Sequence, residues 1–235
     1  MALWRAALLS PVIVPQLVWV RLRASRLPEA AGPRAGVVGH GPPVRVLVLG
    51  DSTAAGVGVP TQDEALSGQL AAALGRDFTV SWQVVARSGA VVPDAQAMLA
   101  RGEGPFDCAL ICLGLNDAKN GRLQPAFEAD YAALLRMLAE RFGARSIVCS
   151  GLPPARFFTL LPRPLRDVLG ARAARFDRVI ARLAEAQEGA RFLPMDFTDD
   201  VSLMAEDGFH PGPQIYADWA RHAAAVMRAD LMRAR

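Results

Sequence analysis

Val44-Arg45-Val46-Leu47-Val48-Leu49-Gly50-Asp51-Ser52 is the stretch that decides how this chain is read. The apolar run is β-branched and leucine-rich, too short for a helix, and stopped by a glycine. That pattern predicts a short buried strand running into a tight turn that carries a serine. The residues that follow, Thr53-Ala54-Ala55-Gly56-Val57-Gly58-Val59-Pro60, are small and let other groups approach closely. In an open α/β sheet, the carboxyl end of a strand is where active sites lie. Ser52 is therefore a candidate nucleophile. The bland alternative is a strand end whose hydroxyl caps the next segment, because Gly-Asp-Ser is a short and common tripeptide.

Outward from Val44 the pattern alternates strand and helix. Helical stretches are expected at Asp63–Leu74, Pro93–Ala100, Pro125–Phe142, within Pro162–Glu188 and at Pro213–Arg233. Strands are expected at Phe78–Ala86, Phe106–Leu113, Ser146–Ser150 and Arg191–Met195. Alternation of this kind predicts an α/β fold, a parallel sheet of about five strands with helices on both faces. There are no internal repeats. The organisation expected is an N-terminal arm and linker over 1–43, then one domain over 44–235.

The 235 residues carry a net charge of only +3, with 52% hydrophobic residues, enough for a full core. No Lys/Arg block of the kind that grips phosphates is present, which excludes nucleic acid as an expected partner. Cys108, Cys112 and Cys149 fall inside apolar runs and lack metal-ligand spacing with any histidine. An odd count argues against a disulfide framework and for small buried hydrophobes in a reducing compartment. No metal and no other cofactor is expected.

Residues 1 to about 40 differ from the rest. Trp4 to Val20 is mostly apolar but interrupted by Arg5, Pro11 and Pro15, and it falls short of the ~20 apolar residues of a spanning helix. Arg21, Arg23 and Arg26 follow the run, the reverse of a signal peptide, and no clear cleavage site comes after it. Two readings stay open. Residues 1–27 lie on a membrane surface, with the arginines keeping the domain on its cytoplasmic side. Alternatively they form an apolar arm packed on the protein itself or on a second subunit. The Gly/Pro-rich stretch Pro28–Pro43 reads as a linker. A cytoplasmic location is expected, peripheral to the membrane if the first reading holds.

Three strand ends carry polar or glycine-rich signatures: Gly50-Asp51-Ser52, Ser88-Gly89 and Gly114-Leu115-Asn116-Asp117. In a parallel sheet these ends lie along one edge and can converge. A fourth signature, Asp207-Gly208-Phe209-His210-Pro211, precedes the last helix. Its three-residue spacing lets the carboxylate accept the imidazole Nδ1–H, leaving Nε2 to face a serine in the tautomer of a general base. His40, in the linker, and His222, in the last helix, have no carboxylate so placed and read as bystanders. Asp51 reads as a brace for the serine turn, and Asp117 as a turn cap.

Together these residues resemble the SGNH (GDSL) hydrolase family. Gly50-Asp51-Ser52 resembles its nucleophile block, Gly89 the glycine of its second, Gly114-x-Asn116-Asp117 its third, and Asp207-x-x-His210 its last. One departure is that Arg87-Ser88 stands where an asparagine often precedes the second-block glycine. The resemblance spans Val44 to the C-terminus and implies a flavodoxin-like three-layer α/β/α fold. It also implies a serine esterase acting on acyl esters through Ser52, His210 and Asp207, with an acyl-enzyme intermediate. The implied oxyanion donors are the Ser52 N–H, the Gly89 N–H and the Asn116 side chain. Two alternatives remain: a transferase passing the acyl group to a sugar or lipid hydroxyl, and a non-catalytic binding module. A nucleotide-binding loop is excluded, because Gly50–Gly58 has neither G-x-G-x-x-G nor G-x-x-x-x-G-K-[ST]. Phe157, Phe158 and Leu160, beyond a further strand end, are expected to line an acyl groove or else to tuck into the core.

Overall fold

Strand β2 (Pro43–Gly50) carries the opening motif and lies inside a six-stranded sheet ordered β1-β3-β2-β4-β5-β6. The other strands are β1 (Ala35–Val38), β3 (Thr79–Ala86), β4 (Cys108–Cys112), β5 (Ser146–Ser150) and β6 (Ala190–Leu193). Strands β2 to β6 pair in parallel, as the alternating pattern predicts. The computed structural model describes residues 3–23, 27–196 and 198–233.

Both faces of the sheet are covered, so the central strands are apolar on both sides. Residues Leu47 and Leu49 of β2 join a core with Ile111, Ile147, Phe127 and Phe176. That core lies under α3 (Val92–Ala100), α5 (Gln124–Arg136) and α6 (Leu165–Ala186). The intervening Val46 and Val48 face the other way and pack with Leu70 and Trp219, from α2 (Leu66–Leu74) and α7 (Pro213–Arg233). The result is a three-layer α/β/α arrangement. The three cysteines are buried free thiols, and burial pushes Cys108 and Cys149 up to about 12.

Two expectations about local structure are corrected. The stretch expected as a linker, Pro28–Pro43, contributes β1, which adds antiparallel to the β3 edge. Ala35-Gly36-Val37-Val38 is short and mostly exposed, so it carries no alternating pattern to mark it as a strand. Just beyond β4, Leu115–Lys119 winds into a short helix, α4, with Asn116 in its first turn; the sequence suggested only a turn. Helix α5 ends at Arg136, and Met137–Arg141 continues it as a π-helical turn.

The N-terminal arm is one helix, α1 (Leu3–Arg23), with Pro11 and Pro15 inside it. It leans on α6, where Gln16 Nε2 donates to the Arg163 carbonyl at 2.6 Å and Leu165 N–H donates to Gln16 Oε1 at 3.1 Å. Among the described residues no helix is long and apolar enough to cross a membrane.

Helix α7 is pinned so that the loop before it meets the loop after β2. The Tyr216 hydroxyl donates to the Val57 carbonyl at 2.6 Å, and Trp219 Nε1 donates to Ser150 Oγ at 3.0 Å. The two loops touch at Gly58, whose φ is +106° and where a Cβ would lie 2.3 Å from the Pro211 carbonyl oxygen. Gly58→Ala adds both backbone strain and a clash. It should lower unfolding stability by about 2–4 kcal/mol in urea titration, and a loss below about 0.5 kcal/mol would show that the loops can part freely.

Candidate active site

Ser52 lies two residues past the end of β2, in a turn closed by Ala55 N–H to the Asp51 carbonyl at 3.0 Å and Val57 N–H to the Ser52 carbonyl at 2.9 Å. Its Oγ lies 2.9 Å from His210 Nε2, across 158 residues of sequence. His210 Nδ1 lies 2.5 Å from Asp207 Oδ2. The other carboxylate oxygen of Asp207 accepts the backbone N–H groups of Phe209 at 3.0 Å and His210 at 2.9 Å. Burial opposes ionisation of Asp207, but the bonds from the His210 ring and these two N–H groups outweigh it and hold its carboxyl below the usual range. A carboxylate locked in this way fixes the imidazole with Nδ1 protonated, so that Nε2 faces the serine as an acceptor.

Asp51 does more than the turn-bracing role expected of it. Its Oδ1 accepts Thr53 N–H at 3.1 Å and the Thr53 hydroxyl at 2.8 Å, which is the brace. Its Oδ2 accepts Asn116 Nδ2 at 3.0 Å, tying the serine turn to α4. The second N–H of that amide donates to the Ala90 carbonyl at 3.2 Å, in the loop that holds Gly89. Burial pushes the Asp51 carboxyl up, against the pull of its two bonds from Thr53. The 65-residue separation of Asp51 and Asn116 left no local signal of their contact.

Gly89 has φ +81° and open space where a Cβ would stand. Among the described residues, neither its N–H nor that of Ser52 has a hydrogen-bond acceptor. The turn before Gly89 is held from the stretch expected to be a linker. Glu29 Oε1 accepts Ser88 N–H at 2.8 Å and the Ser88 hydroxyl at 2.7 Å. Glu29 also pairs with Arg34, which donates to the Ala86 carbonyl at 2.8 Å. Ser88 is thus fixed by an acidic residue 59 positions earlier. Sequence reasoning missed Glu29 because a lone acid in a Gly/Pro-rich segment carries no motif.

Two cavities share Ser52, Asn116, Phe209 and His210. The larger is a groove of about 600 Å³ with Gly89 on its floor; Leu160, Leu165 and Leu169 form one wall, and Ile13, Leu17 and Val20 of α1 roof it. The smaller, about 70 Å³, lies between Leu115, Leu152, Phe157, Met204 and Trp219. The three residues expected at an acyl groove are therefore separated. Leu160 lines the groove and Phe157 the small cavity. Phe158 lines neither: it is fully buried, with its ring stacked on Phe209 at a centroid distance of 5.6 Å. Among the described residues no cluster of His, Cys, Asp and Glu could hold a metal ion.

Asp117 is fully buried behind the site and accepts Val92 N–H at 3.2 Å, with Arg122 Nε 3.6 Å away. Burial outweighs both neighbours and raises its carboxyl from 3.8 to about 6. The folded chain therefore holds this proton more tightly than the unfolded one. The resulting stability is present at low pH and is lost as pH rises through the window from 3.8 to about 6. In urea titrations at about pH 4 and about pH 7, the fall in stability between the two should be smaller in Asp117→Asn than in wild type. Equal falls would refute the raised value.

Residues 48–217 match the model of the GDSL-like lipase/acylhydrolase family. The GDSL-like esterase Rv1075c of Mycobacterium tuberculosis is 29% identical over 188 residues, covering 74% of this chain and 58% of that protein, so the chain spans little more than half of its relative's length. The psychrotrophic esterase EstA from Pseudoalteromonas aligns with a TM-score of 0.54 and 20% identity, covering 80% of this chain and 97% of that one. The acetylxylan esterase Axe2 from Geobacillus stearothermophilus aligns with a TM-score of 0.59 and 18% identity, covering 80% and 95%. At those identities the two structures show a common fold. With more than half of its length matched by the family model, the chain belongs to the GDSL-like lipase/acylhydrolase family.

Proposed function

We propose that this protein is a serine hydrolase of carboxylic esters, with Ser52 as nucleophile, His210 as general base and acid, and Asp207 as the group that orients His210. The observation that carries the reading is the unbroken chain of contacts from Ser52 Oγ to His210 Nε2 at 2.9 Å, and from His210 Nδ1 to Asp207 Oδ2 at 2.5 Å. A serine hydroxyl is nearly unreactive at neutral pH unless a base shares its proton.

In the reaction, Ser52 Oγ bonds to the acyl carbon as its proton passes to His210 Nε2. The C=O electron pair moves to oxygen, and the oxyanion sits against the Ser52 and Gly89 N–H groups, whose donors are unspent. Asn116 joins them by sharing the N–H that it otherwise gives to the Ala90 carbonyl, the longer of its two bonds. Collapse breaks the bond to the leaving oxygen, which takes the proton from His210. Water then attacks the acyl-serine, gives a proton to His210 and releases the acid as Oγ recovers its hydrogen. Asp207 stays ionised throughout, as its lowered range requires. The apolar groove beside Ser52 has room for an acyl chain much longer than acetyl.

A fluorophosphonate probe should label wild type at Ser52, with the site read by peptide mass spectrometry. Ser52→Ala should abolish labelling and His210→Ala should slow it severely; Asp207→Asn should slow turnover because the wrong tautomer faces the serine. Labelling at another serine, or full esterase activity in folded Ser52→Ala, would overturn the mechanism.

Asp51→Asn makes a finer test. The new amide keeps one acceptor for Thr53 but turns an NH₂ toward Asn116, so Asn116 must reorient. Turnover of an acyl ester should fall by about 10²–10³, the effect of one lost oxyanion donor, with KM nearly unchanged. A rise in KM at constant kcat would place Asp51 in substrate binding instead.

A further inference from the structure

The two faces of helix α1 are used differently. Ile13, Gln16 and Val20 are half-buried, at the i, i+3, i+7 spacing of one helix face. Ile13, Leu17 and Val20 roof the groove that has Ser52 in its floor, and Gln16 fastens the helix to the start of α6. The opposite face is apolar yet exposed. Pro11, Pro15, Val18 and Leu22 follow the i, i+4, i+7, i+11 spacing of one row, and all four are exposed, Val18 by 53% and Leu22 by 80%. Val12, Val14 and Trp19 widen that surface. A continuous apolar strip of this kind on a helix end marks a surface that meets something other than water.

Charge says what it meets. Residues 1–28 contain Arg5, Arg21, Arg23 and Arg26 and no acidic residue before Glu29. The Arg23 guanidinium lies 5.6 Å from the centre of the exposed Trp19 ring, the aromatic and basic pair suited to a headgroup layer. Arg26 lies outside the described residues, and the side chains of Trp4, Arg5 and Arg21 are not described.

We infer that α1 is a membrane-facing roof: its outer apolar face lies in an anionic lipid surface, while its inner face closes the catalytic groove over the acyl chain of a long-chain ester. The inference about substrate rests on Ser52 being the nucleophile; the inference about docking does not. The two sequence expectations for this arm, lying on a membrane and packing on the protein, then become two faces of one helix. An acyl chain held under α1 would have the bilayer on the other side of a single helix, a short route from lipid to Ser52.

The test uses the full chain in vesicle flotation. Wild type should float with vesicles of equal parts phosphatidylcholine and phosphatidylglycerol and much less with phosphatidylcholine alone, because each arginine near an anionic surface adds about fivefold in partitioning. Val18→Ser/Leu22→Ser changes only exposed positions, so its fold should survive, checked by circular dichroism, while flotation is lost. Ile13→Ser/Val20→Ser should still float, but its kcat/KM for a dodecanoyl ester should fall about tenfold while that for an acetyl ester changes by less than about twofold. Val18→Ser/Leu22→Ser floating like wild type would overturn the docking face. Equal losses on both esters would overturn the roof. A wild type that stays in the aqueous fraction and elutes as a dimer, with Val18→Ser/Leu22→Ser eluting as a monomer, would assign the face to a second copy and overturn the lipid reading. Ser52→Ala should float as wild type does. If wild type floats but cleaves neither ester, the hydrolase reading fails and the docking stands.

Discussion

A single buried carboxylate joins the parts of this site. Asp51 takes two bonds from Thr53 and one from Asn116, so the turn that presents Ser52 and the short helix α4 cannot move independently. A buried carboxylate is costly unless its oxygens are satisfied, and three donors satisfy these. Asn116 passes the constraint on to the Ala90 carbonyl and so to the loop of Gly89. Three strand ends that are remote in sequence thereby become one rigid floor.

The histidine reaches that floor by a different route. It lies on a loop, and loops are held by what they pack against. Tyr216 and Trp219 tie α7 to the Val57 carbonyl and to Ser150, and the contact of Gly58 with Pro211 leaves no space for the His210 loop to drift. The Asp207 carboxylate then sets the ring through the short reach of three residues. The 2.9 Å approach of His210 to Ser52 is the outcome of this packing.

The segment before β2 is the part least like its sequence. Its Gly/Pro composition describes a tether, yet it supplies an edge strand and the Glu29 and Arg34 clamp on the Ser88 turn. Ser88, in the turn before Gly89, has its partner in Glu29, which accepts both its N–H and its hydroxyl. Helix α1 extends the same logic outward, since one of its faces lines the groove that also contains Ser52 and His210.

The sequence by itself determined the alternation of strands and helices, the parallel sheet of β2 to β6, and the family. It also marked Ser52, Gly89, Asn116, Asp207 and His210 as candidates. These signals are local: apolar runs stopped by glycine, and a carboxylate three residues from a histidine. Tertiary structure alone decided what depends on distant partners. Examples are β1, whose four mostly exposed residues pair only because β3 offers an edge, and the reach of Asp51 across 65 residues to Asn116. It likewise divided Phe157, Phe158 and Leu160 among a small cavity, the core and the groove, because neighbouring residues in irregular backbone point in different directions. Hydrophobicity made them candidates for burial, and only the packing around each could say against what.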